Sequence, residues 1–237
     1  FGFDPGVTPE QRREAATAMF VYADELCQVR QRNPQDDLMS VLIDAEVDSH
    51  KLTQMQIDLF FLLLQNAGSE TTRNLITSGT IALLEHPDQL AWLREDLPGR
   101  LPHAIEELLR WATPILQFTR RLSSDTVLAG QEMTAGEHVT LWYPSANRDE
   151  SVFDRPFELD LSRDPNEHVA FGSGGPHFCL GANLARLEGR IIFETLFTRI
   201  QGLRLGADRE SLPRVHSNLI DGPAELPLVW DAVAPAG

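Results

Sequence analysis

The sequence predicts a mainly α protein with a minor antiparallel β portion. Three observations carry that expectation. Residues 54–85 contain no proline and little turn chemistry, as one long helix requires. Helix starts and stops recur up to Ala112. After Pro114 the pattern changes to short β-prone runs divided by Ala129-Gly130 and Ala135-Gly136.

Taken in order, Thr8-Pro9-Glu10-Gln11 reads as a helix start, with Thr8 as N-cap and Pro9 at the first helical position. That helix should run to about Gln31, where Asn33-Pro34 ends it. Residues 37–45 form a shorter second helix. Thr53 can cap the long third one, and His86-Pro87-Asp88 stops it. Two more helices are expected over 88–95 and 101–112. Short strands follow over 118–122, 126–128 and 138–142. Residues 143–175 are irregular and rich in Pro, Asp, Arg and Asn. So long a connection should be functional or heavily pinned. Residues 180–200 return to helix, the tail over 202–230 alternates short strands and turns, and residues 233–237 should fray. No internal repeat or low-complexity linker interrupts the chain.

Composition narrows the function classes. The chain has 237 residues, 42% apolar and 23% charged, which suits a globular protein with a sizeable core. A net charge of −15 argues against nucleic acid or an anionic membrane as the main partner. Cys27 and Cys179 are too few for a disulfide framework, so a reducing, cytoplasmic setting is expected. The N-terminus lacks the pattern of a secretory signal and does not begin with methionine, so a processed form or a piece of a longer chain is expected. LFFLLL at 59–64 is far shorter than the roughly 20 apolar residues of a membrane span and reads as a buried helix.

Two stretches depart from ordinary patterning. In FGSGGPHFCLGANLAR, at 171–186, a glycine-rich loop meets a helix start at Cys179. Amides and the helix dipole there favour a negative sulfur, and glycines let backbone approach something bulky. Cys179 could be a nucleophile, a metal ligand or a lone structural cysteine. Zinc would need further ligands at close spacing, and Cys27 is a poor candidate. A thiol hydrolase needs a histidine base, and His177 is too near in sequence to reach the sulfur easily. Haem iron needs only the single sulfur.

The second stretch is AGSETT, at 67–72 inside the long helix. Gly68 costs about 1 kcal/mol relative to alanine there. Thr71 and Thr72 can bond back to carbonyls and open the helix locally, beside Glu70. The competing readings are a proton-relay pair, Glu70 with Thr71, facing a ligand at Ala67-Gly68, and a simple kink at a helix crossing. Glu107 and Arg110 form an i,i+3 pair that by itself says little, but apolar Leu108, Leu109 and Trp111 surround it.

In this order and rough spacing, AGSETT, Glu107-x-x-Arg110, Asn147-Arg148-Asp149 and the 171–181 cysteine loop resemble the C-terminal half of a cytochrome P450, a haem-thiolate monooxygenase. The resemblance covers nearly the whole chain. It implies the cytochrome P450 fold, C-terminal half only, with residues 1–237 as the C-terminal portion of a single domain whose N-terminal portion is absent. It implies haem b (iron protoporphyrin IX) as cofactor and Cys179 as the proximal iron ligand, whose thiolate favours O–O cleavage. Glu70 and Thr71 would deliver protons during oxygen activation, and Ala67 and Gly68 would line the distal face. Arg120 and His177 would hold the propionates. Phe171, Gly172 and Gly181 would lie against the cofactor around the sulfur. Glu107, Arg110 and Arg163 would form a buried structural triad.

The cysteine loop is one residue longer than the commonest family pattern. That loop and GANLAR resemble actinobacterial members that hydroxylate steroid side chains or branched fatty chains. The implied reaction is hydroxylation of an apolar small molecule with O2. Electrons would come from NAD(P)H through a reductase and a ferredoxin-type donor docking near Arg186, Arg190 and His177. Of the residues that would touch substrate, Ile115 to Gln117, Leu219 and Ile220 are present. The missing pocket roof implies that this piece alone holds haem weakly or not at all. The runner-up reading is a truncated or non-catalytic haem-binding relative. A cysteine hydrolase is the third.

Overall fold

The computed structural model describes residues 6–235, which fall into two compact units divided within one helix, between Glu70 and Thr71.

The first unit begins with α1, Pro9–Arg32. Its start is a capping box: Thr8 Oγ1 accepts from the Gln11 amide at 3.2 Å, and Gln11 Oε1 accepts from the Thr8 amide at 2.8 Å. Helix α2, Leu38–Asp44, is capped by Asp37, which accepts from the Ser40 amide at 2.9 Å. A hairpin follows that the sequence reading did not anticipate. β1 (Glu46–Val47) pairs with β2 (His50–Lys51), and Asp48 and Ser49 turn it with φ of 51° and 64°. Helix α3, Gln54–Glu85, starts in this unit. Cys27, Met39 and Ile57 form the small core, with Leu26, Ile43, Leu52 and Phe61 around them. Burial pushes the Cys27 thiol up, which makes it a packing residue rather than a reactive one.

The expectation that 59–64 is buried needs correction. Leu59 is 50% exposed and Leu63 is 55% exposed. An apolar run shows that a surface seeks cover; it does not show that the same chain supplies it.

The second unit holds the larger core. Leu75 and Leu83 of α3 meet helix α4 (Pro87–Glu95), helix α5 (Leu97–Ala112) and, near the C-terminus, helix α7 (Ala182–Arg199). Leu93, Leu101, Ile105, Leu108, Leu161 and Phe193 are all essentially inaccessible there. A Cβ on Gly189 would stand 3.2 Å from Ile105 and 3.5 Å from Leu75, so glycine sets how closely α7 approaches its neighbours. Helix α5 starts four residues before the expected Leu101. Asp96 accepts from the Gly99 amide at 3.1 Å, and Pro102 falls inside the helix. The side-chain cap outweighs the proline as a start signal.

After α5, β3 (Gln117–Arg121) pairs antiparallel with β6 (His138–Trp142). Between them β4 (Thr126–Leu128) pairs with β5 (Gln131–Met133), a strand missing from the sequence reading, through a turn with Ala129 at φ 50° and Gly130 at φ 82°. A short helix, α6 (Tyr143–Ala146), opens the irregular stretch. The tail folds into two further antiparallel pairs. β7 (Ile200–Gln201) meets β10 (Ala232–Val233), and β8 (Arg204–Leu205) meets β9 (Leu228–Val229). The expected fraying thus does not begin at Val233, and residues 236–237 lie outside the described residues. Short strands and a helical body make this a mainly α fold with a minor antiparallel β portion.

Candidate functional site

The second unit places Cys179 at the end of a glycine loop that leads into α7. Gly172, Gly174 and Gly175 have φ of 85°, 103° and 76°, a region that residues with a Cβ avoid. The loop closes on itself: the Cys179 amide donates to the Phe171 carbonyl at 3.0 Å, and the Phe178 amide to the Gly175 carbonyl at 3.1 Å. Cys179 is a free, partly exposed thiol just before Gly181, the α7 N-cap. Phe178 and Leu180 on either side are 46% and 74% exposed. A Cβ on Gly181 would lie 4.0 Å from the sulfur. His177, two residues before Cys179, is exposed. No group of three or more His, Cys, Asp or Glu stands in metal-binding proximity among the described residues. The loop offers one soft donor, a free and partly exposed thiol.

Behind this loop the structure brings Glu107, Arg110 and Arg163 together. Arg110 donates through Nε and Nη2 to the two Glu107 oxygens, at 2.8 and 2.7 Å, with both side chains fully buried. Arg163 Nε adds 3.2 Å, Asn166 Nδ2 2.9 Å and the Asp160 amide 3.0 Å on the same carboxylate. Arg110 spends its remaining donors on the carbonyls of Asn147, Pro156 and Glu158. Asn147 donates to Thr113 at 2.8 Å and accepts the Val169 amide at 2.8 Å. These bonds pin the irregular stretch expected from its length and lead the chain into the cysteine loop.

Sequence reasoning missed the neighbouring group. Glu106 receives Arg186 through Nε and Nη2 at 2.7 and 2.8 Å, and His168 Nε2 at 3.0 Å. Burial pushes this carboxyl up, but the bonds from Arg186 and His168 prevail and hold it at about 2. Arg186 is raised in turn, first by its bond to Glu106. Arg186 is thus a committed partner rather than the free surface cation expected beside His177 and Arg190, both of which are exposed. The only sequence signal was adjacency: Glu106 beside Glu107, and His168 just ahead of Phe171.

Arg120 is exposed on β3, where it donates to the Thr119 carbonyl at 3.2 Å and lies 5.9 Å over the Phe118 ring. Ile115 and Leu116 join the tail turn. The Leu116 amide donates to the Leu219 carbonyl at 2.8 Å, and Ile115 bridges Ile220. Ala67, Gly68 and Glu70 belong to the first unit and Thr71 to the second; all lie on α3. α3 is continuous through residues 67–72. Further along the helix, Thr77 and Thr80 donate their hydroxyls to the carbonyls of Arg73 and Ile76, at 2.9 and 2.7 Å, without breaking it. A Cβ on Gly68 would meet nothing within 4 Å, so packing within this chain does not require a glycine there.

Comparison with known proteins meets this geometry from the other side. The chain is 46% identical over 209 residues to a methyl-branched lipid omega-hydroxylase of Mycobacterium tuberculosis, covering 88% of this chain and 48% of that protein. It is 45% identical over 206 residues to a steroid C26-monooxygenase of Mycolicibacterium smegmatis, covering 87% and 51%. A Mycobacterium marinum cytochrome P450 solved with pseudoionone superposes with a TM-score of 0.84 at 42% identity, covering 90% of this chain and 50% of that one. The chain spans about half the length of the curated relatives it matches. The Cytochrome P450 family profile matches residues 3–201. With the cysteine loop, the buried Glu107–Arg110 pair and the fold all of that kind, the chain belongs to the cytochrome P450 family.

Proposed function

We propose that this chain is the C-terminal portion, residues 1–237, of a single-domain haem-thiolate monooxygenase that hydroxylates an apolar small molecule. The observation that carries this reading is the state of Cys179: a free, partly exposed thiol at a glycine-bared loop, just ahead of a helix N-terminus. The residues present fit haem b. One soft donor is offered, apolar Phe178 and Leu180 flank it, and Arg120 and His177 are exposed donors for carboxylate tails. When bound, the haem supplies the dioxygen chemistry that inserts oxygen into an unactivated C–H bond.

The chain's own residues have narrower tasks. Cys179 holds the metal through its thiolate. The Phe171 carbonyl fixes the sulfur's backbone by accepting its amide, Gly181 keeps a side chain away from the sulfur, and Gly172 supplies the positive φ that turns the loop. Arg120 and His177 bind the propionates. Ala67 and Gly68 leave room on α3 for close approach, consistent with the open space beside Gly68. Glu70 and Thr71, adjacent on α3, would hold and pass on a proton through the carboxyl and the hydroxyl. Glu107, Arg110 and Arg163 pin residues 147–166, ahead of the loop. The relatives named as lipid and steroid hydroxylases support a lipid or steroid substrate, with the half-buried Ile115, Leu116 and Leu219 on the apolar wall and the fully buried Ile220 behind them. Electrons reach the site from NAD(P)H through a reductase and a ferredoxin-type donor at the His177 and Arg190 surface.

Substituting Cys179→Ser in the full-length protein tests the reading. Loss of the thiolate-type band in the reduced, CO-bound spectrum, and of substrate oxidation, is expected. Retention of both would refute it.

A further inference from the structure

Two adjacent glutamates on α5 serve different parts of the chain. Glu107 and its partner Arg110 tie α5 to residues 147–166, a segment that ends before the cysteine loop begins. Glu106 gathers the two shoulders of the loop itself. Upstream, His168 lies three residues before Phe171; downstream, Arg186 lies seven residues after Cys179. Both bond to the same carboxylate.

Each shoulder is held in a defined orientation. The His168 side chain is 4% exposed, and its Nδ1 accepts the Ala170 amide at 3.2 Å. That bond assigns the ring proton to Nε2, which donates to Glu106. Arg186 meets Glu106 as a two-pronged fork, which fixes plane as well as distance. The same guanidinium lies 4.6 Å over the Phe171 ring, and the Phe171 carbonyl takes the Cys179 amide at 3.0 Å. A continuous path of contacts therefore runs from Glu106 through Arg186 and Phe171 to the backbone of the sulfur residue.

We propose that Glu106, Arg186 and His168 form a positioning clamp that holds the Cys179 loop in the shape its sulfur needs to meet haem as a thiolate. This rests on the haem-thiolate reading above. Glu106 acts through Arg186 and Phe171, so its loss loosens the loop while the Glu107 cluster still holds residues 147–166.

The experiment uses the haem-loaded full-length protein with Glu106→Gln and Arg186→Lys. Three readouts apply: the proportion of thiolate-type to neutral-thiol-type band in the reduced, CO-bound state, the reduction potential, and amide exchange across 171–181. Glu106→Gln is expected to convert part of the band to the neutral-thiol type and to shift the potential. Exchange over 171–181 should rise on the order of tenfold while 147–166 stay protected, as for a lost charge-assisted bond at a locally opening loop. Arg186→Lys, which keeps charge but loses the fork, is expected to fall between wild type and Glu106→Gln. Unchanged band, potential and exchange in both variants would overturn the clamp. So would a loss of protection spread evenly over the chain in both, since Glu106 would then be a general stabiliser. A wild-type protein without any thiolate-type band would instead overturn the haem-thiolate reading on which the clamp rests.

Discussion

Replacing Glu107 by Gln should be among the most costly single changes in this chain. The carboxylate takes five bonds, two from Arg110 and one each from Arg163, Asn166 and the Asp160 amide, and is fully buried. Glutamine keeps the volume but turns one acceptor into a donor that faces guanidinium N–H groups. It also leaves the Arg110 charge buried with no carboxylate bonded to it; only the carbonyls of Asn147, Pro156 and Glu158 remain. Removing one partner of a buried pair costs roughly 3–5 kcal/mol. Native stability is only about 5–15 kcal/mol, so a large share would go. Denaturant unfolding of the full-length protein, followed by far-UV signal and by haem release, measures it. The expected result is a much lower midpoint for both signals, with haem release coming first because residues 147–166 lead into the cysteine loop. A midpoint within about 1 kcal/mol of wild type, the range of an exposed ion pair, would refute the reasoning.

Two other outcomes follow from the same geometry. Glu106 titrates at about 2 against an ordinary 4.5, so its bonds stabilise the fold fully above about pH 4.5, and that contribution fades as pH falls through about 2. The stability difference between wild type and Glu106→Gln should therefore shrink with acidification across that window, and a constant difference would contradict it. Gly222→Ala would place a Cβ 2.4 Å from the amide of Asn74, which is fully buried, so the side chain must move. Destabilisation of about 1–3 kcal/mol is expected in thermal melts.

Much of the fold can be read along the chain because its signals are local. Thr8 and Asp37 cap their helices as their residue types predict, and the proline-free stretch at 54–85 is one helix. Readings failed where two local signals competed or a partner lay far away. Pro102 looked like a helix start until Asp96 proved the stronger one. β5 carries weak β propensity and exists because β4 pairs with it. The run at 59–64 is apolar, yet Leu59 and Leu63 face outward.

The candidate site divides along the same line. A lone cysteine among glycines before a helix is legible from residue types, since backbone freedom and a helix dipole are properties of neighbours in sequence. The partnership of Glu106 with His168 and Arg186 is not, because those bonds close over 62 and 80 residues. The sequence by itself determined which groups are chemically able to act: a sulfur, its glycines, and a pair of glutamates on one helix. Only the tertiary structure decided which glutamate is sealed in the core and which one bonds the residues on either side of the cysteine loop. Neighbouring residues on a helix point in different directions, and burial and hydrogen bonding depend on what the rest of the chain brings to each face.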